Sequence, residues 1–114
     1  SGGWRASKAS ESAQNPLIVL GDGALADLER ILEFNFARDP ASALAHVDGI
    51  RGGILILDDH PEIGRRFRTG SALRELVISH GKTGYVALYE FSPIDHVIRV
   101  VAIRHQREAG YRGR

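Results

Sequence analysis

The sequence predicts an α+β domain of order β-α-α-β-β-β, with a helical hairpin packed on one face of a small, mainly antiparallel sheet. Three observations predict it. Apolar residues recur at helical spacing through the first half, β-branched runs bounded by Gly and Pro fill the second, and Pro40 splits the helical half in two. Helices grouped first and strands grouped last favour a sheet covered on one side over alternating βαβ units.

Each element has a local reason. Pro16 to Leu20 reads PLIVL, a short β-branched run stopped by Gly21-Asp22-Gly23, and so a strand. It joins the sheet at an edge or at the centre. Asp22 or Gly23 caps the first helix, whose stripe is Leu25, Leu28, Leu32 and Phe36 with Ile31 alongside. Asp27, Glu29, Arg30 and Glu33 are placed on its wet side. Asp39 suits the cap of a second helix and Pro40 its first position, where a missing N–H costs nothing. Ala43, Val47, Ile50, Ile54 and Leu57 then recur at four, three, four and three. Gly49, Gly52 and Gly53 argue against a helix, at about 1 kcal/mol each, and residues 53–57 alone read as a strand. The unbroken period favours the helix, with the glycines allowing close contact to a neighbour.

Asp59 to Gly64 opens a loop holding Pro61, and Arg65, Arg66, Phe67 and Arg68 follow. Leu73–Ser79, Tyr85–Phe91 and Val97–Ile103 are three strand-like runs joined through Gly81-Lys82-Thr83-Gly84 and Ser92-Pro93-Ile94-Asp95, the pattern of an antiparallel meander. The far face of that sheet is the expected place for basic residues. Residues 1–15, with Trp4 their only large apolar side chain, read as a tail. Residues 16–111 are one domain and 112–114 a short C-terminal tail.

Composition narrows the function classes. The 114 residues include no cysteine, which excludes disulfides, thiolate catalysis and thiolate metal sites and suits a reducing cytoplasm. No apolar run approaches the ~20 residues of a membrane span, and no secretory leader is visible. The net charge of +1 hides an asymmetry: residues 1–59 carry five Lys or Arg against nine Asp or Glu, and residues 60–114 carry ten against five. A basic half suits an anionic partner, nucleic acid or acidic protein, and equally suits strands kept soluble by Arg. Of the five histidines, His60, His80, His96 and His105 fall in that half.

No metal or cofactor is expected. The nearest acidic and imidazole grouping, Asp58, Asp59, His60 and Glu62, sits at a helix end and loop and reads as solvated charge. Gly21-Asp22-Gly23 lacks the rest of a phosphate loop, and no serine has a nucleophile elbow. The set that carries chemistry is basic and aromatic: Arg65, Arg74, Tyr85, Tyr89, Arg104, His105, Arg107 and Tyr111. Arg grips phosphate or carboxylate bidentately, while His and Tyr move protons or stack on bases. Those are the requirements of metal-free RNA cleavage. Cross-strand pairing of Arg74 and Glu75, with the tyrosines in the core, is the plainer account of the same residues.

Five segments in order, ALADLERILEF at 24–34, HPEIGR at 60–65, LREL at 73–76, YVALYE at 85–90 and VVAIRHQREAGY at 100–111, resemble the RelE/ParE toxin superfamily of type II toxin–antitoxin and plasmid-stabilisation systems. The resemblance runs from about Leu17 to Tyr111. It implies a RelE/ParE-like α+β fold and an antitoxin partner, wrapped on the hairpin and sheet, that would contact Leu28, Leu32, Phe36, Val47 and Ile54. Without antitoxin, it leaves room for a homodimer. RelE-like members cut mRNA on the ribosome. If this chain is such a nuclease, the resemblance implies Arg74, Arg104, His105, Arg107 and Tyr111 as its cutting set. ParE-like members inhibit DNA gyrase by binding, and here Arg65, Arg74, Tyr89, Arg104, His105 and Arg107 would be the target contacts. A lysine-poor second half, with Lys82 the only lysine after Lys8, and Val86 where many relatives carry Arg, favour the ParE-like, non-enzymatic branch.

Overall fold

A computed structural model of the protein describes residues 15–80 and 83–106. The N-terminal segment with Trp4, Gly81 and Lys82, and the C-terminal residues including Arg107 and Tyr111 lie outside them. Along the chain come β1 (Leu17–Leu20), α1 (Asp22–Arg38), α2 (Pro40–Ile54), a 3-10 turn (Leu55–Asp58), β2 (Arg65–Arg66), β3 (Leu73–His80), β4 (Thr83–Ser92) and β5 (Val97–His105). The expected order holds, with the two-residue β2 added where a loop was expected. The sheet runs β1-β5-β4-β3-β2. β1 lies at its edge, parallel to β5, and every other pairing is antiparallel. The hairpin covers one face, with α1 over β5 and α2 over β3.

Glycines set how closely the helices approach. Gly21 donates its N–H to Val100 O at 2.9 Å, and a Cβ on Gly23 would come within 2.8 Å of Val101 O. That approach leaves room only for Ala24 against the sheet, so α1 is rotated from the stripe its leucines suggest. Ala24, Asp27 and Ile31 are buried, while Leu25 and Phe36 are 48% and 59% exposed. The α1 cap is Gly21, one residue before the expected positions. Asp39 does cap α2, but its carboxylate makes no cap bond. On α2 the expected seam is largely met: Ala43, Ile50, Ile54 and Leu57 are buried. The helix ends at Ile54 and tightens into the 3-10 turn, so residues 53–57 are not a strand. Gly53 earns its place there, since a Cβ would lie 2.6 Å from the Ile78 side chain.

Asp27 also departs from expectation. β5 runs beyond the end of β1, whose register stops at Val100. The Ile103 N–H on that free edge donates to Asp27 Oδ2 at 2.8 Å, and Arg104 pairs with the same oxygen at 2.5 Å. A buried carboxylate is tolerable only when so satisfied. A bulge between β4 and β5 puts Leu88 opposite Ala102 and Tyr89 opposite Val100, leaving Val101 over. The extra residue keeps Ile98, Val100 and Ile103 in the helix-side core. The far face is not a basic surface. Arg99 pairs with Glu90 at 3.7 Å and Arg65 with Glu75 at 3.5 Å, so acids opposite the cations cancel much of their charge.

Candidate functional site

Tyr85 and Tyr89 lie on the same face of β4 and mark two ends of the helix-facing layer. At the Tyr85 end an open cleft of about 440 Å³ lies between the C-terminal half of α1, the start of α2 and the ends of β4 and β5. Ile31, Asn35 and the nearly buried Tyr85 ring form its floor. The register sets Tyr85 opposite His105, and the two rings meet edge-on with centroids 5.4 Å apart. His46 approaches from α2. The Tyr85 hydroxyl and His46 Nδ1 share a hydrogen bond of 3.3 Å, in which the phenol donates when Nδ1 carries no proton.

The walls are rich in guanidinium and imidazole groups. Arg30, Arg38, His46 and His105 line the cleft with one carboxylate, Asp39. The Arg38 guanidinium sits 5.2 Å above the Phe34 ring, itself 59% exposed. Burial raises the Tyr85 phenol above its ordinary value, and a side-chain hydrogen bond with Asn35 works against that rise. A neutral phenol has one O–H to give, to His46 Nδ1 or, when that nitrogen carries the proton, to an anion in the cleft.

At the Tyr89 end the layer is closed. The fully buried Tyr89 hydroxyl accepts the Gly64 N–H at 2.9 Å, and Arg74 Nη1 donates to Gly64 O at 2.8 Å and Glu62 O at 3.2 Å. A Cβ on Gly64 would lie 2.7 Å from the Tyr89 ring and 2.8 Å from Glu75 O. Burial again raises the phenol, with the Gly64 contact and the Arg74 charge opposing it.

The residues expected to act together are therefore scattered. Arg74 ties down the 60–64 loop, Tyr89 is in the core, and Arg104 is committed to Asp27 with its side chain 17% exposed. Arg65 stands out from the sheet. Of the set, Tyr85 and His105 reach the cleft among the described residues. Arg107 and Tyr111 lie outside the described residues. Of the expected antitoxin contacts, Phe36 is exposed, Leu28, Leu32 and Val47 are half-buried, and Ile54 is in the core. Sequence reasoning missed Arg30, Arg38 and His46 as site residues. The available signal for His46 was its place three residues after the buried Ala43, a polar side chain turned towards the sheet.

The family model described as ParE toxin of type II toxin-antitoxin system, parDE, matches residues 18–110. A curated protein, Toxin RelE3 from Caulobacter vibrioides, is 34% identical over 91 residues, which span 80% of this chain and 95% of that one. The fold is similar to a chain of the chromosomal ParDE TA system from P. aeruginosa, with TM-score 0.66 and 19% identity over 81% of this chain and 97% of that one. It is also similar to a chain of the toxin-antitoxin complex RelBE2 from Mycobacterium tuberculosis, with TM-score 0.53 and 18% identity over 81% and 99%.

Proposed function

Since the chain belongs to the ParE toxin family of type II toxin–antitoxin systems, we propose that it arrests growth by binding and inhibiting DNA gyrase, and that a cognate antitoxin silences it. The observation that supports binding over cutting is the fate of the two arginines a nuclease would need beside His105. Arg74 donates to loop carbonyls and Arg104 is paired with Asp27, so neither converges with His105 on one phosphate. Positioned cations and proton donors around a single reacting centre are what metal-free RNA cleavage requires. Arg65, exposed beyond its pairing with Glu75, and Arg107 are the target contacts of this reading. The antitoxin covers Phe36 with the half-buried Leu28, Leu32 and Val47, apolar side chains that a partner would bury.

Gyrase supercoiling of relaxed plasmid in the presence of stoichiometric toxin tests the reading. Supercoiling is expected to fall, to be restored by antitoxin, and to fall less with Arg65→Glu. Unimpaired supercoiling overturns it. Cleavage of mRNA on programmed ribosomes, abolished by His105→Ala, would move the chain to the RelE-like alternative.

A further inference from the structure

The cleft beside Tyr85 is not used by that reading, and its chemistry points to a small ligand. Arg30, Arg38, His46 and His105 surround one mouth against a single carboxylate, Asp39. These elements converge from three separate parts of the chain, α1, α2 and the paired ends of β4 and β5. Arg30 is shared with the buried acid of α1. Asp27, the buried acid of α1, is already served by Ile103 N–H and Arg104, with Arg30 at 3.4 Å. The cleft also offers a flat apolar surface. Phe34 is 59% exposed on its rim, with the Arg38 guanidinium held over the ring. A volume of about 440 Å³ falls in the range of sites for small molecules.

We propose that this cleft binds a nucleotide: a phosphate held by Arg30, His46 and His105, and a base stacked on the Phe34–Arg38 pair. Guanidinium groups match phosphate oxygens bidentately, and the Tyr85 hydroxyl supplies a further donor at the floor when His46 Nδ1 carries the proton that they share. An aromatic face takes any base without reading its sequence. Tyr85, Ile31 and Asn35 line the inner end of the cleft. The assignment goes beyond gyrase binding and stands or falls separately from it.

Titration calorimetry of the whole chain with adenosine 5′-monophosphate tests it, with inorganic phosphate and a short glutamate peptide as parallel probes. The nucleotide is expected to bind more tightly than phosphate, and the peptide least tightly. Phe34→Ala is expected to weaken the nucleotide about tenfold, the usual scale of base–aromatic stacking, while leaving phosphate unchanged. Arg38→Gln and His46→Gln are expected to weaken it as well, and Arg65→Gln, outside the cleft, to leave it unaltered. Phe34 and Arg38 are exposed, so those variants fold, and matching thermal melts check this for His46→Gln. No heat of binding at millimolar nucleotide, binding that ignores Phe34→Ala and His46→Gln, or a glutamate peptide bound as tightly as the nucleotide would each overturn the assignment.

Discussion

Tyr85 and Tyr89 make a controlled comparison within one strand. They are four residues apart on the same face of β4, 2% and 0% exposed, and burial raises both phenols. Their hydroxyls end in different places. That of Tyr89 meets a backbone N–H that has no access to water, under a loop held by Arg74. That of Tyr85 meets an imidazole at the floor of an open cleft. Equal burial of the ring thus conceals a difference in what the polar atom does. At one end it completes a structural closure, and at the other it remains available to a ligand.

The largest expected effect breaks the closed end. Tyr89→Ala removes a fully buried ring from the centre of the sheet, and large-to-small aromatic replacements in cores cost about 3–5 kcal/mol. Much of a small domain's stability would go, because such domains are held by only about 5–15 kcal/mol. Urea denaturation measures it, and a loss below about 1 kcal/mol would contradict the packing described. Tyr89→Phe isolates the hydroxyl. It leaves the Gly64 N–H buried without an acceptor, for an expected loss of about 1–3 kcal/mol.

Alkaline pH tests the same pair together. For both phenols the folded pKa lies above the unfolded value of 10.0, so the folded state holds the protons more tightly. That contribution is fully present below about pH 10 and is lost as pH rises through the raised folded values. Melting temperature is therefore expected to drop across that window. The drop should shrink in Tyr89→Phe and shrink further in the Tyr85→Phe, Tyr89→Phe double variant. An unchanged alkaline drop in the double variant would place its origin elsewhere.

Much of the architecture was readable because it rests on periodicity. The Ala43–Leu57 seam, the three β-branched runs and the break at Pro40 are local patterns, and each became the element it suggested. The rotation of α1 was not readable, because it follows from the contact of Gly21 and Gly23 with the β5 backbone, which pulls Ala24 inward and turns Leu25 out. Asp27 looked like a wet-side charge. Only the mismatch in length between β1 and β5 gives it an unpaired N–H to accept. The site was harder still. Arg104 and His105 are neighbours in sequence, yet after the bulge that leaves Val101 over, one pairs with Asp27 and the other lies against Tyr85. Nothing local to 104–107 marks that division. His46 joins His105 only through a strand register between residues twenty apart and a helix packed across it.

The smallest expected effect is the most discriminating. Tyr85→Phe removes the hydroxyl but keeps the ring that packs against His105. Because His46 and Asn35 line an open cleft, water can take the place of the lost partner, and a replaceable hydrogen bond is worth only about 0.5–1.5 kcal/mol net. Unfolding by urea should therefore show a loss at or below the low end of that range, and less than Tyr89→Phe shows. A loss equal to that of Tyr89→Phe would mean that the Tyr85 hydroxyl is as enclosed as its neighbour's. The two ends of the layer would then be alike, and the cleft would lose its polar floor as a place for a ligand.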